Sequence, residues 1–390
     1  MKRKKILKSI MKIMLLFIPC FAFSQDTHSD EYYQKAMDFL QGEGVLEGWF
    51  TEKFLPLYDS FMTAEYGQFI LFGQAVAGLG ALLYLGNIGW QMIGGDREWE
   101  IVPMLKPFAI GLVIVNWVSF VGILRTPLIK LQDVSESSFV ESQQELNSLR
   151  WVRFKKQQQV VDRIVEEQAK AQAEIQQQEA GDQSLIEEGL DMVGDGLTSL
   201  MSPVYELYLR LQVGLQLAIS SALELIGLWI LRICVYGIFF IQLIFSTILI
   251  IIGPIPVGLS VFPAFSSFLS QWVSRFINVN LYGFVAFIIL KIGTLLQLFA
   301  FEAEIERYDQ IINTDGSIKN MDLLLTYSSS GIMSFGLVIV CFLITAVGIL
   351  CVPTLANYII PSGGGNTGAM SKMKKAGMAI ATKGVSLLKG

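Results

Sequence analysis

One histidine, His28, stands in the whole chain of 390 residues. That scarcity excludes histidine-based metal sites and Ser-His-Asp catalysis, which need an imidazole beside further ligands or a nucleophile. Cysteine is scarce too, with Cys20, Cys234, Cys341 and Cys351 the 4 present. None has CxxC or metal-ligand spacing, so no disulfide framework is expected. The last three lie in apolar runs and read as small buried hydrophobes. Charged residues make up 16% of the chain, where a soluble domain carries about 25%. The formal net charge of −5 speaks against a nucleic-acid-binding surface. The sequence has no GxGxxG before a strand, no GxxxxGK[ST], no HExxH and no GxSxG. It also has no acidic pair inside an apolar run. We expect no enzyme, no cofactor, and no catalytic or metal-binding residue.

Hydrophobic residues make up 53% of the chain, and they fall in long runs. Five stretches are long enough to cross a bilayer, which takes about 20 residues: Phe69 to Ile93, Phe108 to Leu124, a part of Ala222 to Ile252, Asn280 to Phe301, and Gly331 to Pro353. In hydrocarbon every backbone amide must be bonded within its own segment, so each run is read as a helix. The alternation of a membrane barrel is absent. The expected fold is all-α, a polytopic membrane protein with about five transmembrane helices and a long helical periplasmic loop.

The chain starts with a basic stretch, Lys2, Arg3, Lys4, Lys5 and Lys8, and a short apolar run from Ile13 to Phe23. Ala22-Phe23-Ser24 places small residues three and one before a cut ahead of Gln25. That is the pattern of a secretory signal peptide, with an uncleaved anchor as the alternative. Pro19 before Cys20 spoils a lipoprotein site. With Gln25 outside the cytoplasmic membrane, the five helices alternate and the C-terminus lies inside. The segment from Gln25 to Gln68 carries 9 acids and 2 bases, and Glu302 to Asp322 carries 6 acids and 2 bases. Both are placed outside. The tail after Pro361 holds Lys372, Lys374, Lys375, Lys383 and Lys389 with no acid, as an inner segment should. Arg125 and Lys130 run against the rule, at the start of a loop longer than the roughly 60 residues over which it holds. The domain order is then signal peptide (1–24), periplasmic N-terminal segment (25–68), helices one and two (69–124), periplasmic helical loop (125–221), helices three and four with a Gly-Pro connector (222–301), periplasmic loop (302–330), helix five (331–360) and basic cytoplasmic tail (361–390).

Between Pro127 and Gly181 there is no proline and no glycine, and helix formers such as Gln, Glu, Lys and Arg dominate. Apolar positions at Leu146, Leu149, Val160, Val161, Ile164, Val165 and Ile175 are partly helical in spacing. One unbroken helix would reach about 80 Å at 1.5 Å per residue, a folded-back hairpin half that. It is either a solvated linker or a docking element for periplasmic partners. Gly181, Gly189, Gly194 and Gly196 then loosen the chain, and Tyr205 to Ser221 reads as an amphipathic interfacial helix.

Within the membrane runs, Gly73, Ala77 and Ala81 lie four residues apart, a small face that lets helices approach closely, within the protein or between subunits. Ionisable residues in a bilayer are costly and by default functional. Lys291 sits in the middle of the fourth helix; it either pairs with Glu224 or lines a water-filled route. Glu224 and Arg232 share a side of the third helix, where Arg232 either snorkels outward or takes part. Gln74, Asn87, Asn116 and Gln242 read as interhelical hydrogen-bonders. The third helix ends at Gly253-Pro254-Ile255-Pro256, since proline stops a helix. Phe265, Phe268, Leu269, Trp272, Val273 and Phe276 then recur at helical spacing, which predicts a helix along the inner membrane surface or re-entering it, either as a plain connector or as a gating loop. The lysine tail predicts contact with anionic lipid.

Three blocks carry a family resemblance. Val102-Pro103-Met104-Leu105-Lys106-Pro107-Phe108-Ala109-Ile110-Gly111-Leu112 resembles the start of the second membrane helix in conjugative-transposon TraJ proteins of Bacteroidetes. Gly253-Pro254-Ile255-Pro256-Val257-Gly258-Leu259, continuing to Trp272-Val273-Ser274-Arg275-Phe276-Ile277-Asn278-Val279, resembles the central signature of that family. Cys351-Val352-Pro353-Thr354-Leu355-Ala356-Asn357-Tyr358-Ile359 resembles its C-terminal block. The resemblance implies kinship with the TrbL-like polytopic inner-membrane subunits of type IV secretion systems. It implies a channel or platform role in DNA transfer between bacteria, with a secondary transporter or a purely structural scaffold as alternatives. It also implies assembly as a homo-oligomer with periplasmic stalk and core proteins and cytoplasmic ATPases, and at most transient contact with DNA. The Gln-rich helix from Leu128 to Ala180 departs from the family layout.

Overall fold

A computed structural model describes residues 45–54, 60, 67–94, 102–181, 191–330 and 336–361. The signal-peptide residues, most of the segment from Gln25 to Gln68 and the lysine tail lie outside the described residues. Among the described residues the regular elements are helices: α1 (Gly67–Ile93), α2 (Val102–Val115), α3 (Trp117–Gly181), α4 (Asp191–Ile252), α5 (Pro254–Leu259), α6 (Phe268–Asn280), α7 (Tyr282–Ile311), α8 (Met321–Ser330), α9 (Gly336–Leu350) and α10 (Val352–Ile359). By length and composition 3 segments cross a membrane, Gly67–Ile93, Ala222–Ile252 and Pro263–Ile311, and up to 5 if each of two broken helix pairs is one span. The protein is therefore an all-α polytopic membrane protein.

Several boundaries differ from the sequence expectation. The second span is not a straight helix from Phe108 to Leu124. The chain bends by 82° between α2 and α3. At that corner the Asn116 side-chain amide donates back to the Leu112 carbonyl at 3.1 Å, a local bond that competes with regular helix geometry. Asn116 thus serves its own helix rather than a neighbour. Past the corner, α3 runs through Pro127 to Gly181 unbroken, so the hairpin alternative falls. Gly194 and Gly196 lie inside α4 rather than in a loosened linker, and Tyr205 to Ser221 continues α4 with no separate interfacial helix. The fifth span breaks between α9 and α10, where Pro353 sits in the first turn of α10.

The chain folds as two compact units. The first comprises Met1–Glu52, Ser137–Val235 and Ile288–Ile349. It gathers three segments that lie far apart in the sequence. Arg153 of α3, itself buried, pairs with Glu224 of α4 and, at 2.6 Å, with Glu304 of α7. Lys156 pairs with Asp309. Arg163 Nε donates to the Gly316 carbonyl at 2.7 Å. That carbonyl belongs to a tight turn in which Asp315 accepts from the Ser317 amide at 2.9 Å and hydroxyl at 2.6 Å. Those two bonds hold the Asp315 carboxyl below the ordinary carboxylate range. Gly316 takes φ +80°, a backbone that favours glycine. Val160 and Ile164 close against Tyr308, Ile311, Ile312 and Leu324. One face of the Gln-rich helix is thus already covered by its own chain.

The second unit comprises Lys53–Glu136, Tyr236–Phe287 and Leu350–Gly390. Here α1 packs on α2 and α5, α2 on α5, α5 on α6, and α6 on α10. Its core joins Ala77, Ile110, Ile114, Trp117, Val257 and Phe276, with Ala81 half-buried against them. The aromatic run after Pro263 turns one face into this core. Trp272 and Phe276 are core residues at 4% and 0% exposure, while Phe265 faces outward.

Candidate functional site: a broken helix held by two tryptophans

The site begins with a missing donor. In a helix the carbonyl of Ile250 would bond the amide of residue 254, but Pro254 has none. A bare carbonyl in an apolar interior is costly, so a side chain must supply the donor. Trp117, the first residue after the α2–α3 corner, donates its indole Nε1–H to Ile250 O at 3.1 Å. Trp272 of α6 donates its own to Leu249 O at 2.9 Å. The two indoles lie 4.8 Å apart, and Trp272 stacks on Phe276 at 5.2 Å. Beyond the break the helix restarts, with the Val257 amide bonding Gly253 O at 3.2 Å and the Ser260 amide bonding Pro256 O at 3.1 Å.

Small residues make the fit. A side chain at Gly253 would overlap the Trp117 ring, and one at Gly73 would overlap Pro254. A Cβ at Gly258 would lie 2.9 Å from Gly73 O. Gly73 and Ala77 therefore seat α5 against α1, and the small face is spent inside the protein.

At the other end of α6, Asn278 is buried and donates to Asn357 Oδ1 at 3.0 Å and to Ile360 O at 2.7 Å. Gln242 Nε2 donates to Asn280 O at 3.3 Å, the interhelical bond expected of it. The three blocks of family resemblance, on α2, on α5 with α6, and on α10, therefore lie in one packed cluster.

The structure brings Gly253, Pro254, Pro256, Gly73, Ala77 and Ala81 into the second unit. The charged residues belong to the first, each with its own partner. Lys291 donates to Ser138 Oγ and does not pair with Glu224. Glu224 faces Arg153 instead. Arg232 does not snorkel; at 3% exposure it pairs with Glu47 at 2.6 Å. Sequence reasoning missed Trp117, Asn278, Arg153 and Glu304 as site residues. Pro254 held the signal for Trp117, because its lost donor must be replaced. Nothing local pointed to the Arg153 partners, which lie 71 residues away in the case of Glu224.

The family model for homologues of TraJ from a Bacteroides conjugative transposon matches residues 50–387. The chain belongs to that family. Membership ties this TraJ homologue to conjugative-transposon transfer and to the other subunits of that machinery. No curated protein and no solved structure matches it. Among the described residues no cluster of His, Cys, Asp and Glu is arranged to hold a metal ion.

Proposed function

We propose that the chain is a non-enzymatic, inner-membrane channel or platform component of a conjugative type IV secretion apparatus, akin to TrbL-like subunits and acting as a homo-oligomer. The observation that carries this reading is the convergence of the three family-like blocks on the clamped Gly253–Pro254 break. Irregular backbone at membrane depth is tolerated only where protein buries it or where it lines a cavity. Here the two tryptophans bury it, so it acts as a rigid packing element and a passage forms between copies. Leu71, Phe72, Leu82 and Trp90 of α1 point outward, a face suited to lipid or to further copies. In this reading the signal peptide exports the N-terminus, the part of α3 beyond Arg153 and the 302–330 segment lie in the periplasm, and the lysine tail lies near cytoplasmic ATPases and anionic lipid. The uncovered face of α3 meets stalk and core proteins, and DNA contacts the chain only in passing.

Photo-crosslinking of DNA in transit tests the channel version. Crosslinkers at Phe72, Trp90 and Lys291 should yield DNA adducts during mating. Adducts at none of the membrane positions would leave only a platform.

A second reading, a secondary transporter, gains from the helix breaks at Asn116, Gly253 and Cys351, since discontinuous helices build transporter sites. Uptake of a small solute or ion by a strain carrying this gene without other transfer genes would favour it.

A further inference from the structure

In the first unit α3 and α7 run parallel and in register. Lys291 bonds Ser138 and Asp309 bonds Lys156, both at a separation of 153 residues. Arg153 meets Glu304 between these points. The stretch from Ser138 to Arg153 therefore lies along the stretch from Lys291 to Glu304. On α7 the residues Lys291, Thr294, Gln297, Phe301 and Glu304 recur every three or four positions and share a face. On α3 the matching face holds Ser138, Ser142, Gln143, Leu146 and Arg153. Thr294 and Gln297 are 1% exposed, and Ser142 and Gln143 are 8% and 7% exposed. Buried polar side chains thus alternate with the apolar Leu146 and Phe301 along this seam.

The seam is not closed by its own bonds. Gln143 Nε2 and Oε1 and Gln297 Oε1 are buried and find no hydrogen-bond partner among the described residues. Buried polar groups of that kind are met by ordered water when the site is polar on both sides. Both ends carry groups that exchange protons. One end has the Lys291 amine beside the Ser138 hydroxyl. The other has two buried carboxylates, Glu224 and Glu304, paired with Arg153, with Arg307 also acting on Glu304, and close by the Tyr308 and Tyr327 hydroxyls 3.4 Å apart.

We propose that the α3–α7 seam is a proton-carrying file, in which water held by Gln143 and Gln297 links Glu304 to Lys291. A proton taken up by the Glu304 carboxylate passes from water to water and leaves through the Lys291 amine. Only O–H and N–H bonds form and break, one proton leaves for each that enters, and an existing gradient drives the transfer. This goes beyond the role in DNA transfer and does not depend on it.

The test uses the full-length protein in liposomes with an internal pH-sensitive dye and a potential set by potassium and valinomycin. The protein should pass protons faster than protein-free liposomes, with no matching sodium leak. The near-isosteric Gln297→Met and Gln143→Met, and Lys291→Met, should bring the rate down to that of protein-free liposomes. Phe299→Leu, on the outward face of α7 at 64% exposure, should leave it unchanged. Unaltered elution and melting would show that the variants are folded. Wild-type proton flux at the protein-free rate, an equal sodium flux, or flux that survives the Gln297→Met change in a folded variant would overturn the proposal. Mating efficiency measured in parallel separates this outcome from that of the transfer role.

Discussion

The Trp117 indole stands where an amide is missing: its N–H reaches the carbonyl of Ile250 at 3.1 Å, four residues before Pro254. The bond joins the residue that follows one helix break to the last turn before another. Trp117→Phe keeps an aromatic side chain but removes the donor and part of the ring volume. It should leave Ile250 O unmet and cost about 1–3 kcal/mol. Thermal unfolding in detergent checks this, and Trp272→Phe should behave alike at Leu249. An unchanged melting temperature would show that water replaces the indole.

Glycine contacts separate two kinds of position. Gly253→Ala and Gly73→Ala push a methyl into Trp117 and into Pro254, respectively. Overpacking of this kind costs about 1–3 kcal/mol. Gly86→Ala, on the same α1, meets nothing within 4 Å. It should be neutral or slightly stabilising, as expected of alanine in a helix. Melting curves and the level of folded protein in membranes should rank the three in that order.

Breaking the buried ion triad should be worse than removing it. Arg153→Met leaves Glu224 and Glu304 as unmatched buried carboxylates, at a cost of about 3–5 kcal/mol. Adding Glu224→Gln and Glu304→Gln to Arg153→Met should recover much of that loss. Chemical unfolding of the single and triple variants measures the difference. Additive losses would contradict the pairing.

Asn278 ties α6 to the end of α10 through two donated bonds, at 3.0 Å and 2.7 Å. Asn278→Asp keeps the size but removes the donor and faces Asn357 Oδ1 and Ile360 O with a charge. It should lower mating efficiency and free the chain after Ile360 for limited proteolysis. Asn278→Asp with wild-type protease resistance would contradict the tie.

The hydropathy runs made the helical membrane architecture legible, because lipid leaves an apolar backbone few alternatives. Gly253-Pro254 was legible as a stop for the same kind of reason, since both residues act locally. The 82° corner at Asn116 was not. No proline or glycine marks it, and it depends on Trp117 being drawn into a core built from α1, α5 and α6. Lys291, Glu224 and Arg232 were identifiable as unusual, but their partners come from elements far away in sequence. Apolar residues such as Val160, Ile164 and Val165 stood out on α3, and they are buried, but Arg153 did not, since its burial makes sense only beside Glu224 and Glu304.

The two-sided layout puts the end of α3 and the turn before α8 on one side of the membrane, where Arg163 meets Gly316. Alkaline phosphatase inserted after Gln178 near the end of α3, after Ser317 in the turn before α8, and at Gly390 tests it directly. The account predicts active enzyme at the first two positions and inactive enzyme at the last. An inactive fusion after Gln178 beside an active one after Ser317 would contradict it, because Arg163 of α3 and Gly316 could then no longer meet.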